Sequence, residues 1–83
     1  MTKPQPDPVY VSFLRQGKGS GLTRVEKLNM HPSLKESFLR ELKRRFACGG
    51  TISAGALELQ GDHRGSVEAE LRSKGYEVRR KGG

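Results

Sequence analysis

Apolar and polar positions change their period several times along the chain, and each change marks an element. Val9-Tyr10-Val11-Ser12-Phe13-Leu14-Arg15 is β-branched and aromatic, which predicts a first strand. Leu22-Thr23-Arg24-Val25-Glu26-Lys27-Leu28 predicts a second strand, charged on part of its surface. Between them Gly17-Lys18-Gly19-Ser20-Gly21 places three glycines in five positions, so the pair reads as a hairpin around a short glycine-rich loop. A helical period follows: Leu34, Phe38, Leu39, Leu42 and Phe46 fall within an arc of roughly 140° at about 100° per residue. This predicts a helix over about 33–47, with Pro32 outside it, Ser33 and Glu36 as a capping box, and Gly49-Gly50 as the stop. On the same wheel Arg40, Lys43 and Arg44 share the opposite side.

Thr51-Ile52-Ser53 and Leu57-Glu58-Leu59-Gln60 then read as two short strands on either side of Ala54-Gly55-Ala56. Asp62 is the expected N-cap of a second helix whose Val67 and Leu71 face inward and which Gly75 closes. The pairs Glu68–Arg72 and Glu70–Lys74 have favourable i,i+4 spacing, worth about 0.2–0.5 kcal/mol each. Tyr76-Glu77-Val78-Arg79 predicts a last strand. The order is ββαββαβ: an α+β chain with a five-stranded sheet backed by two helices in one two-layer core.

At 83 residues the chain has room for a single domain, expected over 9–83. Residues 1–8 hold three of the four prolines and no apolar pattern, so they read as a disordered lead-in. No run approaches the roughly 18–20 apolar residues of a membrane span, and the first residues lack the apolar stretch of a signal peptide. The lone Cys48 allows no intrachain disulfide and fits a reducing compartment, so a cytoplasmic location is expected.

Charge narrows the partner. Sixteen Lys and Arg against nine Asp and Glu give +7, which favours an anionic partner. The excess is uneven: ten basic and four acidic residues lie in 1–47, six and five in 48–83. Nine of the sixteen cations fall between Arg15 and Arg45, where the electrostatic footprint should centre.

Enzymatic motifs fail on inspection. A phosphate loop ending at Gly17-Lys18 would need glycine where Ser12 stands and a hydroxyl residue at Gly19; a dinucleotide fingerprint would need glycine at Leu22. Both also lead from strand to helix, whereas this loop joins two strands. On local sequence a functional basic turn and an ordinary hairpin tip remain equally open. Asp62-His63-Arg64 has no nucleophile or second titrating group beside it, so Asp62 reads as a cap and Arg64 as an ion-pair or phosphate ligand. Cys48, His31 and His63 lack zinc-site spacing, and no cofactor motif is present. Tyr10, Phe13, Phe38, Phe46 and Tyr76 fall mostly at inward positions, leaving no platform for stacking bases. What remains is a non-enzymatic protein that meets folded RNA by shape and backbone through Arg40, Lys43, Arg44 and the glycine loop.

Several segments together resemble a known family. They are Arg15 to Leu28, with the basic glycine loop; Leu39 to Ile52, containing Cys48-Gly49-Gly50-Thr51; Leu57-Glu58-Leu59-Gln60-Gly61-Asp62-His63-Arg64; and Leu71 with Lys74-Gly75-Tyr76. Over about residues 9 to 83 the chain resembles the Sui-type family of translation initiation factors, which takes in eukaryotic initiation factor one and the prokaryotic YciH proteins. The basic ending Arg79-Arg80-Lys81-Gly82-Gly83 is closer to the prokaryotic branch. The resemblance implies a ferredoxin-like α/β plait with a mixed sheet. It also implies a monomer that binds rRNA of the small ribosomal subunit near the decoding site and influences start-codon and initiator-tRNA selection, with other initiation factors and initiator tRNA as further partners.

The RNA-binding set expected from charge and resemblance is Arg15, Gly17, Lys18, Gly19, Gly21, Arg24, Arg40, Lys43, Arg44 and Arg64. A conditional regulator of translation, or a protein-interaction module using the sheet or a helix face, is the alternative.

Overall fold

The computed structural model describes residues 4–15, 17 and 21–81. Seven elements follow in the order β1 (Val9–Arg15), β2 (Gly21–Glu26), α1 (Pro32–Phe46), β3 (Gly50–Ser53), β4 (Ala56–Gln60), α2 (Arg64–Ser73) and β5 (Val78–Arg80). The strands form one mixed sheet in the order β3-β4-β2-β1-β5, with β5 parallel to β1 and the other neighbours antiparallel. This is the ββαββαβ plait.

Register decides which side chains meet the helices. Val11 lies opposite Val25, Val25 opposite Leu57 and Val9 opposite Val78, so all five project to one face. With Leu59 they pack against Phe38, Leu39 and Leu42 of α1 and Val67 and Leu71 of α2 in one apolar cluster. Ser12, Arg24, Glu58 and Thr51 line up across four strands on the other face, which carries polar side chains and no helix. Glu68 of α2 is nearly buried, and its carboxylate accepts from Arg80, which ties the last strand to the second helix. Two-residue closure of β3 on β4 uses Ala54 at φ 49° and Gly55 at φ 81°, the left-handed pair that suits a tight hairpin.

Several helix boundaries differ from the sequence expectation. Pro32 is the first residue of α1, where its missing N–H is one that no intrahelical bond would use. Ser33 therefore does not cap. The cap is His31, whose Nδ1 accepts from the Ser33 N–H at 3.2 Å. Leu34, expected inward, is 58% exposed, and the first turn is held instead by Lys35, whose ammonium donates to the Gly55 carbonyl at 2.8 Å. Ala47 in the left-handed conformation ends α1, with the Cys48 N–H returning to the Lys43 carbonyl at 3.1 Å, so the stop comes before Gly49-Gly50. For α2 the cap position is His63, not Asp62. Glu70, expected to pair with Lys74, takes Arg45 of α1 at 2.7 Å, while Lys74 lies 5.4 Å above the Phe38 ring.

The segment before β1 also differs at one residue. Gln5 is buried; its amide nitrogen donates to the carbonyls of Asp7 and Lys27 at 2.8 and 2.7 Å, and its oxygen accepts from the Asn29 N–H at 2.7 Å.

Candidate nucleic-acid interface

Four stretches distant in sequence are tied together at one end of the sheet. The β1–β2 hairpin closes with Arg15 opposite Gly21. A Cβ on Gly21 would stand 2.8 Å from the Leu14 carbonyl oxygen, so the approach admits only glycine. The Gly21 carbonyl accepts from the Gly61 N–H at 2.9 Å, and the Gly49 carbonyl beyond α1 accepts from the Gln60 N–H at 2.8 Å. Gly61 itself has φ 94°, a conformation costly for any other residue.

Thr23 holds the centre of this arrangement. Its side chain is fully buried, and its hydroxyl donates to the Gly61 carbonyl and accepts from the His63 N–H, both at 2.7 Å. The His63 ring stacks on Phe46 at 5.0 Å and an interplanar angle of 9°, and its Nε2 lies 2.8 Å from the Gln60 carbonyl. A carbonyl only accepts, so Nε2 carries the proton. His63 is thereby a clamp between the end of α1 and the turn before α2. Neither Thr23 nor the His63–Phe46 stack stood out in the sequence. Their partners lie 38 and 17 positions away, and the one available signal was a threonine at an inward position of β2, two residues before Val25.

Cations gather on this scaffold. The last turn of α1 carries Lys43, Arg44 and Arg45, where positive charge also suits the partial negative charge of a helix C-terminus. Arg45 is engaged by Glu70 at 2.7 Å and Glu41 at 3.8 Å. Among the described residues no carboxylate pairs with Arg40, Lys43 or Arg44, and Arg40 and Arg44 are exposed. Arg15 is exposed at the end of β1, and Gly17 follows at φ 68°.

The ten expected residues therefore separate by position. Arg15, Gly17, Gly21, Lys43, Arg44 and Arg64 lie at this end, with Arg40 one turn up α1. Arg64 is held by its own neighbour: Nε and Nη2 donate to the two Asp62 oxygens at 2.9 Å each, and its guanidinium lies 5.2 Å over the Phe13 ring. Hydrogen bonding from Arg64 holds the Asp62 carboxyl below the usual carboxylate range. Arg24 projects from the helix-free face, 3.9 Å from Glu58. Lys18 and Gly19 lie outside the described residues.

No group of three or more His, Cys, Asp or Glu side chains converges as a metal site among the described residues. Burial pushes the half-buried Cys48 thiol up, with the nearby Lys43 charge opposing it, so the thiol is less ionised than a free one. Among the described residues no helix is long and apolar enough to cross a membrane.

A plait with a glycine-rich hairpin, a basic helix and a Gly-Asp-His-Arg turn at one end matches the model of the translation initiation factor SUI1 over residues 5–77. The chain belongs to the SUI1 family. It is similar to the protein translation factor SUI1 homolog of Ignicoccus hospitalis, 33% identical over 72 residues, covering 87% of this chain and 69% of that protein. The SUI1 homolog of Thermococcus kodakarensis is 40% identical over 68 residues, 82% of this chain and 67% of that one. An uncharacterized protein, YciH, of Salmonella typhimurium is 33% identical over 66 residues, 80% of this chain and 61% of its own length.

Proposed function

We propose that this chain is a cytoplasmic, monomeric, non-enzymatic factor of translation initiation, folded as one domain over residues 9–83. It binds rRNA of the small ribosomal subunit near the decoding site and biases the choice of start codon and initiator tRNA. The observation that carries this reading is the set of cations Arg40, Lys43 and Arg44, with which no carboxylate pairs among the described residues, at the same end as the exposed Arg15 and the β1–β2 hairpin, on a scaffold fixed by Thr23 and His63. Exposed cations on a rigid support hold phosphates at low entropic cost, because the backbone beneath them is already ordered. Family membership supports the same reading.

Co-sedimentation with isolated small ribosomal subunits at two salt concentrations tests it. If six to ten phosphates are contacted, a fourfold rise in salt weakens association by roughly 10³–10⁵. Binding that ignores salt, or that survives Lys43→Glu unchanged, overturns the assignment of this surface. A salt-insensitive complex with another protein would favour the interaction-module alternative.

A further inference from the structure

At the far end of α1 a second group of cations converges, outside the set at the glycine end. Lys27 follows β2, Lys35 sits in the first turn of α1 and Arg24 projects from β2; all three line one cleft of about 280 Å³, closed on its far side by the β3–β4 turn. Their charges are only partly answered. Lys35 donates to a neutral partner, the Gly55 carbonyl, and among the described residues no carboxylate pairs with Lys27 or Lys35. Glu26, the one carboxylate among the described residues of the cleft wall, has Lys81 at 3.6 Å. Arg24 has Glu58 at 3.9 Å, yet its Nε is buried and meets no hydrogen-bond acceptor among the described residues.

The backbone here is held in an unusual state as well. Lys27 has φ 64°, a left-handed conformation that lysine rarely takes, and its carbonyl is fixed by the buried Gln5 amide at 2.7 Å. A residue with no need of its ammonium would more cheaply be glycine or asparagine at this position.

We infer that the Lys27–Lys35–Arg24 cleft is a second phosphate-binding site, and that the chain grips RNA at both ends of α1. This rests on the RNA-binding reading above and extends it. The choice of RNA over an acidic protein follows from continuity along α1. Lys35 and Lys43 are eight residues apart, about 12 Å along the axis, with Arg40 between them. Between Lys35 and Arg44 the helix carries four cations to two anions, with Lys35 turned about 80° round the axis from Lys43. A rigid rod with cations at both ends suits a polyanion of regularly spaced charge.

The test uses the full chain with Lys27→Asn and Lys35→Gln, singly and together. Asparagine accepts the left-handed backbone, and glutamine keeps both helix propensity and a donor for the Gly55 carbonyl. The probes are isolated small subunits and deproteinised small-subunit rRNA. Each substitution should lower the slope of log K against log salt by roughly 0.7–0.9, and weaken binding on the order of fivefold near 0.15 M salt. In the unmodified chain, the amide signals of Lys27 and Gly55 should shift when rRNA is added, a readout that needs no variant.

Slopes equal to the unmodified chain, while Lys43→Gln lowers its own, overturn the second site and leave the first standing. Unshifted Lys27 and Gly55 amides do the same. Loss of polyglutamate binding in the variants, with RNA slopes intact, also overturns it and assigns the cleft to an acidic protein. Failure of the unmodified chain to bind either probe removes both readings together.

Discussion

The two ends of the molecule are ordered by different means. At the glycine end, four segments meet through backbone hydrogen bonds, and one buried hydroxyl, that of Thr23, satisfies two of the groups the crossing would leave unpaired. At the other end a single amide side chain, Gln5, draws the lead-in onto the Lys27–Asn29 connection. The first arrangement leaves side chains free to point outward, because the backbone is already held from within. The second fixes the path of the connection itself. Cations sit at both ends, but the glycine end presents them from helix and hairpin, and the other end gathers them into a cleft.

Substitutions separate these two modes, and the largest effect is expected at Thr23. Thr23→Val keeps the shape and strands a carbonyl and an N–H, which costs about 2–4 kcal/mol and lowers Tm by roughly 10–20 °C. Thermal unfolding followed by circular dichroism measures it, and RNA affinity should fall with it, since the Gly61–Arg64 turn loses its anchor. Retained affinity would show that the anchor and the interface are independent. Gly50→Ala comes next: the new Cβ would lie 2.7 Å from the Glu58 carbonyl oxygen, and the forced shift costs about 1–3 kcal/mol in urea unfolding.

Gln5→Ala breaks the other end, removing bonds worth about 1–2 kcal/mol net. It should lower the unfolding midpoint yet leave the salt slope contributed by Lys43 and Arg44 unchanged. The smallest effect concerns acid. The folded-state pKa of Asp62 is depressed, so its contribution is present above the ordinary carboxylate pKa near 4 and is lost as pH falls through its lowered value. Asp62 is half exposed and solvent screens the pair, so Asp62→Asn should only slightly flatten the acid limb of a stability–pH curve.

The elements were legible because each carries a repeat of its own. Alternation in Val9–Arg15, the 3.6 period of Phe38, Leu39 and Leu42, and the tight turn before Leu57 all follow from local pattern. The caps were not legible. Ser33, His31 and Asp62 are all competent capping residues within a position or two of a boundary, and tertiary packing decides which is used. Gln5 had no pattern around it, since the Lys27 carbonyl and the Asn29 N–H that bury it lie more than twenty residues away. The basic helix could be located by charge, but composition could not say which cations are consumed internally. Arg45 goes to Glu70 and Arg64 to Asp62, and only the fold separates them from Arg40 and Arg44.

The parallel pairing of β5 with β1 constrains when this molecule can finish folding. Val9 takes its backbone acceptor from Glu77, and Lys81 donates to Val11, so the first strand completes its ladder with nearly the last residues described. During vectorial synthesis the hairpin and both helices can form while that edge of β1 stands open. The sheet closes only when residues 78–80 have emerged, after the longest loop in the chain has been drawn together. Until then the Val9 N–H and the Val11 carbonyl stand unpaired along that edge, so a nascent chain stalled short of Val78 should be the form most prone to pairing with a stranger.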